Sequence, residues 1–330
     1  MYKKIINLVV LVILITSFLL MTYYGVNTFH VKSNPIEPQD FQYHFVLISE
    51  ETNNDYWRLI ESGAIDAAKK HNVYLEYLGP SHANMSEHVR IFDKAIAGKV
   101  DGIMIQGISD KEFTPLINKA REKGISIVTI DTDAPNSRRE VYVGTDNYQS
   151  GYMAGQALIE DTVGEQKVGV VIGRSAASNQ DLRLQGFMDA IKSESRIQIV
   201  GVKESNITKT GAVQATYDLL KEHPDITAFY GTSALDGIGI TQVIRTIRPN
   251  LNPYIITFDT LPETVELLSK GEIDAIVVQY PYEMGFRAVE MLIELKDGRH
   301  PEPLQYTKTE ILHQKDLSSL QNDQKGDMAR

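Results

Sequence analysis

The chain has 330 residues, 42% of them hydrophobic and 23% charged, which is enough apolar material for two cores of ordinary size. Its formal net charge of −10 argues against a nucleic-acid partner, because phosphate recognition needs a basic face. The absence of cysteine removes disulfides, thiolate metal sites, thiol nucleophiles and a lipid-bearing N-terminal Cys.

Lys3-Lys4 precede an apolar stretch from Ile5 to Met21 that is interrupted only by Asn7, Thr16 and Ser17 and carries no charge. Extended to Tyr23-Tyr24 it is about 20 residues, the length of a helix that spans a bilayer. The sequence therefore predicts a transmembrane signal-anchor over 1–24, with the lysines cytoplasmic and the rest of the chain on the extracytoplasmic side. A cleavable signal peptide is the competing reading. It needs a core of ~7–15 residues and a small-x-small cleavage site, and Thr22 to Ile36 offers no such site. Residues 25–43, with Pro35 and Pro38, read as a linker from membrane to domain.

From His44 onward, short β-like runs alternate with helical patterns, the signature of parallel βαβ units. Strands are predicted over 46–49, 73–78, 102–105 and 126–130, and helices over 56–70, 88–97 and 113–123. Leu59, Ile60, Gly63, Ala64, Ala67 and Ala68 recur on one face of the first of these helices. Gly98, Gly124 and Gly271 fall where a helix should end on a left-handed residue. A second series follows Val141–Gly144. It has helices over 148–159, 180–192, 210–221, 235–246, 262–269 and 283–295, and strands over 167–172, 198–203, 227–230, 254–258 and 275–278. The predicted fold class is α/β, with two doubly wound parallel-sheet lobes, an interlobe ligand cleft and a hinge. The lobes are expected over 44–145 plus about 281–313, and over 146–280, with a polar tail at 314–330. Crossings are expected near Thr145-Asp146, between Ser233 and Thr260, and near Gln279-Tyr280-Pro281.

Five apolar runs stop at polar residues. Phe45–Ile48 meets Ser49-Glu50 and then Asn53-Asn54-Asp55-Tyr56-Trp57; Ile125–Ile130 meets Asp131-Thr132-Asp133. Ala228–Tyr230 leads to Thr232-Ser233, Ile255–Phe258 to Asp259, and Ala275–Val278 to Gln279. Ligands of open α/β sheets bind beyond the carboxyl ends of the strands, so these residues point to one shared site. Carboxylates, amides and a Trp suit hydroxyls and a flat sugar face. Duller roles exist beside this one. Asn54 and Asp55 are good N-cap residues, Asp146-Asn147 reads as a helix cap at the crossover, and Trp57 could be core. Asp131 and Asp259 resist such explanations, because carboxylates ending buried strands are costly unless partnered.

With these motifs in order, the sequence resembles the type I periplasmic binding proteins of the ribose and galactose kind, whose fold is also the effector domain of LacI-type repressors. The resemblance runs from His44 to about His313. It is carried by Glu-Thr-Asn-Asn-Asp-Tyr-Trp at 51–57, Ile-Asp-Thr-Asp at 130–133 and Gly-Thr-Asp-Asn at 144–147. Arg-Leu-Gln-Gly-Phe at 183–187, Thr-Phe-Asp at 257–259 and Val-Val-Gln at 277–279 complete it. The resemblance implies that Asn54 bonds a hydroxyl and that Tyr56 and Trp57 sandwich the sugar ring. It implies further that Asp131 accepts from hydroxyls, that Arg183 donates to them, and that Ser233, Asp259 and Gln279 are the second lobe's contributions. Glu50 stands where the family often has a small polar residue. Asp131-Thr132 replaces an Asp-Arg pair and Ser233 an Asn, while Glu50 and Asp133 add acid. These departures count against ribose, and a different pentose, a hexose or a cyclitol is as well matched.

No helix-turn-helix precedes the first strand, no nucleophile–base pair joins the cleft residues, and His82 and His88 share no helical face for a metal. A non-enzymatic binding protein without metal or cofactor is therefore expected, with an enzyme on the same layout as the competing class. The resemblance implies a membrane partner, either a sensor histidine kinase or the permease of an ABC sugar importer. The uncleaved anchor inclines the reading to the sensor.

Overall fold

The structure, a computed structural model, describes residues 2–29, 41–175 and 177–317. Helix α1 (Tyr2–Phe29) belongs to one unit, and everything from Gln42 onward forms another. In α1 the side chains of Leu11, Leu14, Phe18, Leu19 and Met21 are all more than half exposed. Among the described residues no helix is long and apolar enough to cross a membrane. The side chains at 3, 4, 8–10, 13 and 24–29 of α1 lie outside those residues, and the fold does not establish the expected anchor. Most of the expected linker and tail also lies outside them.

The first lobe's strands are β1 (Tyr43–Ile48), β2 (Val73–Leu78), β3 (Gly102–Ile105), β4 (Ser126–Ile130) and β5 (Val141–Gly144). The second lobe's are β6 (Gln166–Ile172), β7 (Ile197–Glu204), β8 (Ala228–Gly231), β9 (Tyr254–Phe258) and β10 (Ala275–Val278). Two short strands follow, β11 (Leu304–Tyr306) and β12 (Glu310–His313). The sheets run β11-β5-β4-β3-β1-β2 and β12-β10-β9-β8-β6-β7, the same winding twice. All pairings are parallel except β10 with β12. Central strands such as β3, β4 and β8 are buried along their whole length, as expected of strands covered on both faces.

The helices are α2 (Asp55–Lys70), α3 (Met85–Ala97), α4 (Asp110–Glu122), α5 (Asn147–Asp161) and α6 (Ser178–Ile191). They continue with α7 (Lys209–Glu222), α8 (Asp236–Ile247), α9 (Pro262–Ser269) and α10 (Pro281–Lys296). Helix α5 leaves the first sheet and packs on α6 in the second lobe; α10 leaves the second sheet and packs on α2 in the first. Both helix pairs touch through glycine. A Cβ on Gly63 would stand 1.9 Å from Tyr282 O, and one on Gly285 1.9 Å from Ile60 O. In the other lobe Gly151 would meet Arg183 O at 1.9 Å, and Gly186 would meet Tyr148 O at 2.0 Å. The glycines occupy matching turns, since Gly151 and Gly285 are each the fifth residue of their helix and Gly63 and Gly186 the ninth.

Several sequence expectations need correction. The stretch from Ser233 to Thr260 does not cross between lobes, because β8, α8 and β9 all stay with the second sheet. The third crossing is the link from β11 to β12, and β12 belongs to the second sheet although 281–313 was assigned to the first lobe. Gly98 is right-handed at φ −67°, and Lys99 beside it takes the positive φ instead. Leu59 is 47% exposed, so it sits off the buried face of α2.

Candidate ligand site between the lobes

All nine residues singled out in the sequence line one cavity of about 750 Å³ at the carboxyl ends of both sheets. Its volume falls in the range of small-molecule sites. Asp131 and Asp259 occupy equivalent places, one residue past β4 and one past β9. Both adopt left-handed backbone, at φ +65° and +68°, an uncommon conformation for a residue with a side chain. Each still donates its backbone N–H to the neighbouring strand, Asp131 to Val143 O and Asp259 to Val277 O, both at 3.0 Å. The hydroxyl of Tyr142 donates to the carbonyl of Asp131 at 2.9 Å and fixes that kink from behind. Local strain of this kind, held by its surroundings, is a mark of functional positions.

The Asp131 carboxylate receives three donors. Tyr56 OH reaches Oδ1 at 2.7 Å, while Gln106 Nε2 at 2.8 Å and Thr132 Oγ1 at 2.9 Å reach Oδ2. Asp259 has fewer partners. Gln279 Nε2 donates to its Oδ1 at 2.7 Å, and burial pushes its carboxyl up to about 6 against the opposing pull of Arg183. Arg183, 2% exposed, lies 4.0 Å from the centroid of the Phe258 ring. It is held by neutral acceptors: Asn147 Oδ1 at 2.8 Å, Thr232 O at 2.8 Å and Gln279 Oε1 at 2.7 Å. Three of its donor atoms are thus already engaged within the protein.

Asn54 combines the two roles that the sequence allowed. It caps α2 by accepting from Tyr56 N at 2.9 Å, and it also lines the cavity. Asp146 is the cap expected, accepting from Gln149 N at 2.9 Å. The expected aromatic sandwich is not formed by Tyr56 and Trp57 together. Their rings lie edge-on at 87° with centroids 6.3 Å apart, which leaves no slot between them, and the Tyr56 hydroxyl is turned onto Asp131. Trp57 lines the cavity and is at the same time part of the first lobe's core, 4% exposed. Asp133, expected to add acid to the cleft, is instead bound by Arg139 through paired contacts of 2.7 Å and accepts from Thr129 Oγ1.

Several cavity residues escaped the sequence reading, and Gln106 and Arg174 are the two that bear most on the site. Gln106 follows β3 directly, and its Oε1 is buried without a hydrogen-bond partner. Its signature was the same apolar run halted by a polar residue. Arg174, two residues past β6, forms an ion pair with Glu50 of the opposite lobe. Glu50 is 8% exposed; burial raises its pKa and Arg174 pulls it down. Ser233 also lines the cavity, and its side chain hydrogen-bonds the buried carboxyl of Asp236. An unpaired buried group such as Gln106 Oε1 is expensive unless a ligand or water satisfies it. Among the described residues no cluster of His and acidic side chains could hold a metal ion.

Comparison with known proteins agrees with this geometry. A solved glucose-galactose binding protein, GanP of Geobacillus stearothermophilus, superimposes with a TM-score of 0.82 at 53% identity, covering 83% of this chain and 98% of that one. A solved XylFII–LytSN complex gives 0.78 at 34% identity over 83% of this chain and 98% of that one. The ribose import binding protein RbsB of Bacillus subtilis is 24% identical over 248 residues, 75% of this chain and 79% of that protein. The family model for the periplasmic binding protein domain matches residues 45–300, so the chain belongs to that family.

Proposed function

We propose that this protein binds a monosaccharide outside the cytoplasm, closes its two lobes on it without chemical change, and reports it to a membrane sensor histidine kinase. The observation that carries the sugar reading is the composition of the cavity wall. Two carboxylates at equivalent strand ends, the unpartnered Gln106 Oε1, the Ser233 hydroxyl and the indole of Trp57 together suit the hydroxyls and apolar face of a sugar ring. Glu50, Asn54, Tyr56, Arg183 and Gln279 complete the proposed contact set, some by positioning the others. Names of relatives point the same way, and the 53% identity with a glucose-galactose binding protein puts hexoses first. Titration calorimetry against D-glucose, D-galactose, D-ribose and D-xylose tests it. Heat from none of them, or a sugar recovered chemically altered, would refute it.

The sensor reading rests on α1. Its stretch from Ile5 to Met21 carries no charge and follows Lys3-Lys4, and read as an uncleaved anchor it would give a fixed lateral partner in the bilayer. A tether of this kind also raises the effective concentration of the domain at its partner. A relative solved in complex with a second protein supports a docking role. The name of RbsB, an import binding protein, favours the second reading, an ABC permease as partner. Deletion of the protein should abolish sugar-induced transcription even when uptake proceeds by another route. Retained induction with lost uptake would assign it to import.

A further inference from the structure

The connection from β6 to α6 brings the second lobe against the first at three points. Arg174 pairs with Glu50, Ala177 joins the apolar cluster that includes Ile108 and Ala134 of the first lobe, and Ser178 Oγ donates to Asp133 O at 3.1 Å. The Asp133 side chain is itself paired with Arg139. The first of the three contacts differs in kind from the others. Glu50 and Arg174 are topological equivalents, each two residues past the first-wound strand of its sheet, β1 and β6. One is acidic and the other basic, both line the cavity, and they belong to lobes that move relative to one another in any hinge opening.

The electrostatic setting leaves Glu50 dependent on that partner. Asp131 and Glu51 both act on it as like charges. Glu51 is itself bonded to Asn54 Nδ2 at 2.8 Å, and Arg183 is held by Asn147, Thr232 and Gln279. A buried carboxylate beside other acids needs a paired cation, and Arg174 supplies it only while the lobes are together. When the cleft opens, both groups return to water.

We propose that Arg174 and Glu50 form an interlobe latch that biases the cleft toward closure, and that Glu50 serves the ligand through this latch rather than as a primary hydroxyl contact. Arg174 is in this sense a positioning residue. It sets the closed population of the sugar-free protein and, through it, the rate at which a bound sugar leaves, because affinity is reduced by the fraction of molecules that are not closure-competent. The inference rests on the sugar-binding reading only for its second consequence; the first concerns the empty protein.

The chain contains no cysteine, so Ser62→Cys on α2 and Gln185→Cys on α6, both exposed, place one spin label on each lobe. Interlobe distances are measured by electron–electron resonance in the sugar-free protein carrying Arg174→Gln, Glu50→Gln, both, or Arg174→Lys. The expected result is a shift to longer distances in each glutamine variant, no further shift in the double variant, and a smaller shift for Arg174→Lys, which keeps the charge. With D-glucose and D-galactose as probes, dissociation should be about tenfold faster in each single glutamine variant and no faster in the double one. Unchanged sugar-free distances in Arg174→Gln would overturn the latch. So would effects of the two substitutions on distance or dissociation that simply add. If neither sugar binds the parent protein, the hexose reading fails, and the sugar-free distances still decide the latch.

Discussion

Asp259 should be a liability to the empty protein and an asset to the bound one, and the two effects can be separated by pH. Its carboxyl is 7% exposed and is pushed up from 3.8 to about 6, with burial as the largest cause. A carboxyl with a raised folded pKa favours the folded state at low pH and loses that advantage as pH climbs from the unfolded value through 6. Above that window the folded protein holds an ionised group at a cost of about 3 kcal/mol, at about 1.4 kcal/mol per pH unit. Asp259→Asn removes the charge, keeps an oxygen to accept from Gln279 Nε2, and tolerates the left-handed φ of +68° about as well as Asp does. Alanine would add backbone strain to the loss of charge and confuse the comparison. At pH 8 the sugar-free Asp259→Asn variant should be more stable by up to about 3 kcal/mol, a rise of several degrees at roughly 2–4 °C per kcal/mol. At pH 4 the difference should shrink to about 0.5 kcal/mol. Affinity for the best-bound sugar should fall by about 1.5–3 kcal/mol, roughly ten- to hundredfold, with loss of a charged acceptor. Thermal unfolding at both pH values, with calorimetry on the same samples, tests this. Equal or lower stability at pH 8 would refute the desolvation argument.

Other substitutions probe the remaining supports. Gln106→Ala should weaken sugar binding at least tenfold by removing both a hydroxyl acceptor and a donor to Asp131, with calorimetry as the readout. Gly151→Ala drives a Cβ to within 1.9 Å of Arg183 O, so it should lower the melting temperature and weaken binding together through displacement of α6. Gly124→Ala has open space but a φ of +79°, and should cost about 1 kcal/mol of stability with binding unchanged. His88 is fully buried against Phe113, and burial lowers its pKa from 6.5 to about 4. Its stabilising neutral form is secure above pH 6.5 and becomes a burden as pH falls toward 4. His88→Leu should therefore lose about 2 kcal/mol less stability than the parent between pH 7.5 and pH 5, as read by urea unfolding.

The sequence exposed the site where local chemistry was enough. An apolar run that ends on a carboxylate has one economical explanation, and Asp131 and Asp259 stand at such ends. Gln106 carries the same mark after Gly102–Ile105 as Gln279 does after Ala275–Val278, but only Gln279 also lies in one of the motifs that carry the family resemblance. Arg174 carried no mark, since its partner lies 124 residues away and only the fold brings them together. The left-handed backbone of the two aspartates is equally invisible in a sequence, because Asp adopts many conformations and the constraint comes from the adjoining strand and from Tyr142. Strands β11 and β12 are three and four residues long and largely not buried, so they give no periodicity to read. That is why the third crossing was sought between Ser233 and Thr260, where strong strands end in polar residues, rather than at 307–309.

The two lobes meet through equivalent positions, and this explains how a ligand could be sensed at the hinge. Glu50 faces Arg174 across the cleft, Asp131 and Asp259 act on each other electrostatically across the cavity, and Thr145 and Gln279 meet where the chain crosses between lobes. Each pair joins residues that follow matching strands of the two sheets. Thr145 Oγ1 donates to Gln279 Oε1 at 2.7 Å, and Arg183 Nη2 donates to the same oxygen at 2.7 Å. The other end of the Gln279 amide holds Asp259. One amide therefore connects the crossing segment, the fixed guanidinium and a carboxylate on the cavity wall. A hydroxyl that settles on Asp259 changes the charge balance at one end of Gln279, while the other end is anchored at Thr145, where the backbone turns between lobes. Because both lobes are packed rigidly around their own sheets, the dihedrals near 145, 279 and 307–309 are the natural places to absorb closure. Gln279 thus joins the proposed site to the proposed hinge in one hydrogen-bonded unit, the route by which a ligand on Asp259 would act on the crossing at Thr145.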